Sequence, residues 1–129
     1  MRTATQLESA PRVLSATTII GDGVRNASGD HLGRIEELVV DVDNGRVAYA
    51  VLSFGGFLGL GDKLFAVPWA ALRLATDEHR FVLDVDRSVL EKAPGFDKRN
   101  WPDMSDPLFH HAIQKHYGYP GAPRPAPRT

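Results

Sequence analysis

Residues Leu32 to Phe54 read LGRIEELVVDVDNGRVAYAVLSF, two apolar strands broken at Asn44-Gly45. An Asn-Gly pair supplies the positive φ angles of a two-residue type I′ turn, and Val39, Val40, Val42, Val47 and Val51 suit a pleated surface on either side. This hairpin fixes the fold class as mainly β. Along its first strand Ile35 lies in one alternation phase and Leu38, Val40 and Val42 in the other, which predicts a β-bulge between Arg34 and Leu38. The second strand is apolar on both faces, with Val47, Tyr49 and Val51 on one and Ala48, Ala50, Leu52 and Phe54 on the other. A further layer must cover it.

The remaining elements are short. Val24 to Asn26 reads as a strand between turns at Gly21-Asp22-Gly23 and Ser28-Gly29-Asp30. Leu64 to Val67 is a buried strand stopped by Pro68, and Trp69-Ala70-Ala71-Leu72 makes one tight turn into Arg73-Leu74-Ala75, with Trp69 expected in the core. Asp77-Glu78-His79 reverses the chain into a strand over Arg80 to Val85, where Phe81, Leu83 and Val85 mark the better-buried face. Asp86 can cap a short helix through Lys92, which Pro94-Gly95 ends. A second helix has Asp106 as N-cap, Pro107 at its first position and Gly118 just past its end. Its stripe Phe109, Ala112, Ile113, His116 and Tyr117 suits a face packed on the barrel or on a neighbouring subunit. With no alternating βαβ pattern, the architecture expected is a small closed, all-antiparallel barrel, a short helix after the last strand, and a C-terminal helical extension.

Length and charge bound the function. A chain of 129 residues with 43% hydrophobic content holds one ordinary domain plus tails. A formal charge of −1, from 15 Lys+Arg against 16 Asp+Glu, gives no global field to gather phosphates or anionic lipids. Nucleic acid is therefore not the expected partner. Cysteine is absent, which excludes disulfides, thiolate zinc sites and a cysteine nucleophile. No signal-peptide core is found near the start, and the apolar run Val47 to Leu60 is too short and too glycine-broken to cross a bilayer. A cytoplasmic protein without membrane insertion is expected.

Motifs for chemistry are weak. In GGFLGLGDK, Gly56 and Gly61 have the spacing of a phosphate loop, but Asp62 stands where its lysine belongs, and a dinucleotide fingerprint from Gly59 meets Leu64 in place of glycine. Turn geometry explains the glycines. His110, His111 and His116 lack the three- or four-residue spacing that would place metal ligands on one helix face. A polar face of His110, His111, Gln114 and Lys115, with His116 on the packed stripe, accounts for them. Asp41, Asp43, Asp84 and Asp86 suit strand ends and caps better than an acid-base pair. No serine sits in a Gly-x-Ser-x-Gly elbow.

The chain resembles the PRC-barrel family, which also supplies the cytoplasmic part of the photosynthetic reaction-centre H subunit and the second domain of the ribosome maturation factor RimM. The resemblance covers roughly Leu14 to Leu90. It is carried by Gly33-Arg34-Ile35-Glu36-Glu37-Leu38-Val39-Val40-Asp41, by Asp43-Asn44-Gly45-Arg46 and Val47-Ala48-Tyr49-Ala50-Val51, and by the glycine run Gly55 to Lys63 followed by Val67-Pro68-Trp69. Asn100-Trp101-Pro102-Asp103 before the last helix is similar to the stand-alone prokaryotic members. The resemblance implies a barrel of about six strands that acts as an adaptor, often self-associating, with no catalytic residue set shared across the family.

The organisation expected is a flexible arm over 1–12, a barrel domain over 13–93, an extension over 94–119 with a helix at about 107–117, and a disordered Pro/Arg tail over 120–129. The function expected is a non-catalytic protein-interaction and assembly module whose partner is another protein, in the first place a second copy in a homodimer. Its candidate interface is Phe57, Leu58, Trp101, Phe109, Ile113 and Tyr117, with no cofactor, metal or small-molecule substrate. Two alternatives stand beside it. An RNA- or ribosome-associated factor requires that Arg25, Arg34, Arg46, Lys63, Arg73 and Arg80 share a face; a metal-binding or enzymatic protein requires convergence of the aspartates or histidines.

Overall fold

Strands β1 (Gly23–Arg25), β2 (His31–Asp41) and β3 (Arg46–Gly55) open the sheet, in a computed structural model that describes residues 13–55, 62–75 and 80–118. The β2–β3 hairpin is present, but its connection differs from expectation. Asp41 pairs with Arg46, which leaves a four-residue loop, and the Gly45 N–H donates to the Asp41 carbonyl at 2.9 Å. The Asp41 side chain accounts for this. Its carboxylate accepts from the Asn44 backbone N–H at 3.2 Å and from the Asn44 amide at 2.8 Å, drawing Asn44 back toward the strand. Gly45 still supplies a positive φ, +66°.

The predicted bulge lies at Glu36, the residue skipped between the pairs Ile35–Leu52 and Glu37–Val51. A second register shift, between Val39 and Val40, is additional to the sequence reading and skips Ala48 on β3. Val40 and Val42, expected in the buried phase with Leu38, are 55% and 83% exposed. Helix α1 (Ala16–Ile19) is also additional to the sequence reading; the Ser15 side chain accepts from the Thr18 N–H, and Ile19 is buried.

After β3 come β4 (Asp62–Pro68), a 3₁₀ turn at Trp69–Ala71, β5 (Leu72–Leu74) and β6 (Arg80–Leu83). The sheet order is β4-β3-β2-β1-β6-β5. Strands β4 and β5 thus hold opposite ends of a six-stranded sheet, yet only the turn at Trp69–Ala71 links them. Such a link spans at most about 14 Å, whereas a flat sheet of that width would hold its edges roughly 24 Å apart. The sheet must curl. Two expectations are corrected: β1 pairs with β6 in parallel, so the sheet is not all-antiparallel, and no ladder joins β4 to β5 among the described residues, so the cylinder is a half-barrel rather than closed.

Alternation assigns the two faces. Val24, Ile35, Leu52, Phe65, Val67, Phe81 and Leu83 are buried and fill the concave side with Leu90 of helix α2 (Arg87–Glu91). Asp86 takes the N-cap position of α2, but its side chain accepts no capping bond. Tyr49, Val51 and Ala66 alternate with the concave set and are also buried. They form the second apolar face of β3 and β4, and helix α3 (Pro107–Tyr117) packs against β4 with its Phe109 and His110 rings on Tyr49. Asp106 Oδ1 accepts from the Leu108 N–H at 2.9 Å, and Gly118 ends the helix with φ +72°. Before α3, Phe96 exchanges two backbone hydrogen bonds with Leu64, at 3.0 and 2.8 Å, covering part of the β4 edge.

Candidate functional site

An open groove of about 760 Å³ lies between the hairpin tip and the first turns of α3. Val39, Val40, Val42 and Ala48 line it from the hairpin, and Met104, Pro107, His111 and Gln114 from the extension. The buried Tyr49 hydroxyl is hydrogen-bonded to His110 Nδ1, which ties α3 to β3 beneath this groove. Burial pushes the Tyr49 hydroxyl up to about 12, so it stays protonated near neutral pH. Asp41 is held below the usual carboxylate range, first by the Asn44 amide, with Arg46 adding to the effect. Its charge is committed to the turn and to Arg46 Nε at 3.6 Å. These groups brace structure, while the exposed valines offer a dry contact surface.

The sequence-predicted interface residues are scattered. Phe57 and Leu58 lie outside the described residues, as do Gly56 to Gly61 of the glycine run. Trp101 is 42% exposed and rests on Phe96 with ring centroids 5.2 Å apart. Phe109 is half-buried against Tyr49, and Ile113 and Tyr117 are buried on the chain's own sheet. Exposed Leu108, at 77%, was missed; it belongs to no stripe, and only its place beside Pro107 in the first turn signals it.

The candidate ligand sets do not gather. His110 meets Tyr49, His111 is exposed, and His116 Nε2 donates to the Val89 carbonyl at 2.8 Å. Asp41 and Asp43 stand at the hairpin end of β2, whereas β6 pairing places Asp84 and Asp86 beyond its other end. Among the described residues no group of three His, Asp or Glu is arranged to hold a metal ion.

The cations behave differently. Of the six named from the sequence, four share one face. Arg34 and Arg80 lie on either side of Gly23 in register, and in the next row His31 pairs with Arg25, Arg25 with Val82, and Val82 with Arg73. Buried Val24, Phe81 and Leu83 alternate with them, so Arg25, Arg34, Arg73 and Arg80 are exposed on the convex side. Arg46 sits apart beside Asp41, and Lys63 lies over the Phe65 ring at 5.4 Å.

No helix among the described residues is long and apolar enough to cross a membrane. A comparison with curated proteins finds no match. The model of the PRC-barrel domain matches residues 11–90, which span all six strands of the curled sheet, and the chain belongs to that family.

Proposed function

We propose that this chain is a non-catalytic, self-associating adaptor of the cytoplasm that docks other proteins through the groove between the hairpin tip and α3. Family membership marks it as a protein-interaction module in general terms. The observation that carries the finer reading is the exposure of Val40 and Val42 on the rim of an open groove, with Leu108 exposed at the start of α3. Exposed aliphatic side chains clustered at a concave surface mark contact sites, because covering them recovers roughly 25 cal/mol per Å². The hydrogen bonds of Tyr49 to His110 and of Asp41 to Asn44 support this reading, since they tie both side chains into the fold.

Sedimentation velocity over a wide protein concentration range tests it. A monomer–dimer equilibrium is expected, and Val42→Asp, at a side chain 83% exposed, is expected to weaken it about tenfold or more while leaving the melting temperature unchanged. A monomer at every concentration would remove self-association from the reading.

A further inference from the structure

We propose that the groove between the hairpin tip and α3 takes an extended proline-rich segment, and that its resident occupant is the chain's own Pro120 to Pro127, folded back along α3. This rests on the groove being the docking surface proposed above, and it names what regulates access to that surface. The helix supplies one wall by spacing: Pro107, His110, His111 and Gln114 stand at i, i+3, i+4 and i+7 and share a face about 11 Å long. The chain leaves α3 at the Gln114 end of this wall. Gly118, at φ +72°, turns it off the helix axis, and its N–H donates to the Gln114 carbonyl, one turn past the last lining residue. Residues 119–129, YPGAPRPAPRT, lie outside the described residues. At about 3.1 Å per residue in a polyproline II helix, the run from Pro120 to Pro127 spans roughly 22 Å, enough to return along the whole wall.

The lining chemistry selects such a segment. Val39, Val40, Val42, Ala48, Met104 and Pro107 make the groove largely apolar, so a backbone N–H laid in it without an acceptor costs free energy. Pro120, Pro123, Pro125 and Pro127 have no N–H to lose. Their carbonyls need donors, and the Gln114 amide and the His111 imidazole stand on the wall to supply them. Charge agrees. Asp41 is paired with Arg46, Asp43 adds a further carboxylate to the lining, and the segment from Tyr119 to Thr129 carries Arg124 and Arg128 with no acid. Tyr119 alone separates Gly118 from Pro120, and so short a tether gives an effective concentration of roughly millimolar, at which even a weak contact fills the site. Any protein that docks in the groove must then displace the segment.

Nuclear magnetic resonance on the full chain, at a concentration where sedimentation velocity finds the monomer, tests this. The chain has no cysteine, so Ala126→Cys accepts a single nitroxide label. With the label active, the amide signals of Val40, Val42 and His111 are expected to lose most of their intensity, while His31, about 30 Å from Val40 along β2, keeps its own. In the unlabelled chain the backbone order parameters of Ala122, Arg124 and Ala126 should approach about 0.8, and Val42→Asp, at an exposed position that leaves the fold intact, should lower them below about 0.6. Three results would overturn the proposal: order parameters below about 0.6 in the wild-type tail, broadening spread evenly around Gly118 without reaching the hairpin, or equal broadening when the nitroxide sits only on chains lacking the isotope. The last would put the segment on a second copy. All three leave the monomer–dimer equilibrium to be read by sedimentation, and a chain monomeric at every concentration leaves the docked segment standing, so the two readings fail separately.

Discussion

Gly33 shows how narrowly one residue can be constrained. Its φ is +133°, and a Cβ there would lie 2.2 Å from the Ser53 carbonyl oxygen, a backbone atom of the neighbouring strand. Gly33→Ala should therefore destabilise by about 2–4 kcal/mol, seen as a lowered urea midpoint; an unchanged midpoint would mean that the β2–β3 ladder yields at little cost. Tyr117 presents the opposite case. Its hydroxyl is buried with no hydrogen-bond partner among the described residues, so Tyr117→Phe should be neutral or stabilise by up to about 1 kcal/mol. Burial raises the hydroxyl of both Tyr117 and Tyr49, the latter to about 12 from an ordinary 10.0. The folded chain thus holds these protons more tightly than the unfolded one. The associated stability is complete below pH 10, fades as pH rises toward about 12 for Tyr49, and continues to fade beyond that for Tyr117. Melting temperatures measured across that alkaline range should fall, and less steeply for Tyr49→Phe.

At the level of elements, local signals were legible and long-range ones were not. Asp106, Pro107 and Gly118 bracket α3 because capping acts within one turn, and Ile113 and Tyr117 show its packed side by spacing alone. What the helix packs against depends on Tyr49 meeting His110 across 61 positions of sequence, which no periodicity encodes. Ile113 is 2% exposed, so Ile113→Ala should cost about 2–4 kcal/mol and loosen α3 from β4, measurable as faster amide exchange at Tyr49 and Ala66. The hairpin was legible in place but not in turn class. Asn-Gly favours a two-residue connection, whereas two hydrogen bonds from Asn44 to the Asp41 carboxylate select the longer loop. The same limit hid the exposed rim of the groove, since Val40 and Val42 share the alternation phase of Leu38 but stand at the hairpin tip, where burial depends on what the rest of the chain covers.

For the molecule as a whole, the mainly β character and the family followed from motif order, and both stand. The parallel pairing of Gly23 with Arg80, the open seam and the convex arginine array did not follow, because each depends on which strands become neighbours. A chain with formal charge −1 carries no compositional trace of four cations brought to one side by pairing. The 3₁₀ turn at Trp69–Ala71 has a last consequence. It ties the two rims of the sheet to each other, and Phe96 already occupies part of the β4 rim, which narrows the edge open to a strand donated by another molecule. An oligomer of this protein is therefore expected to use the faces of the sheet in preference to its β4 rim.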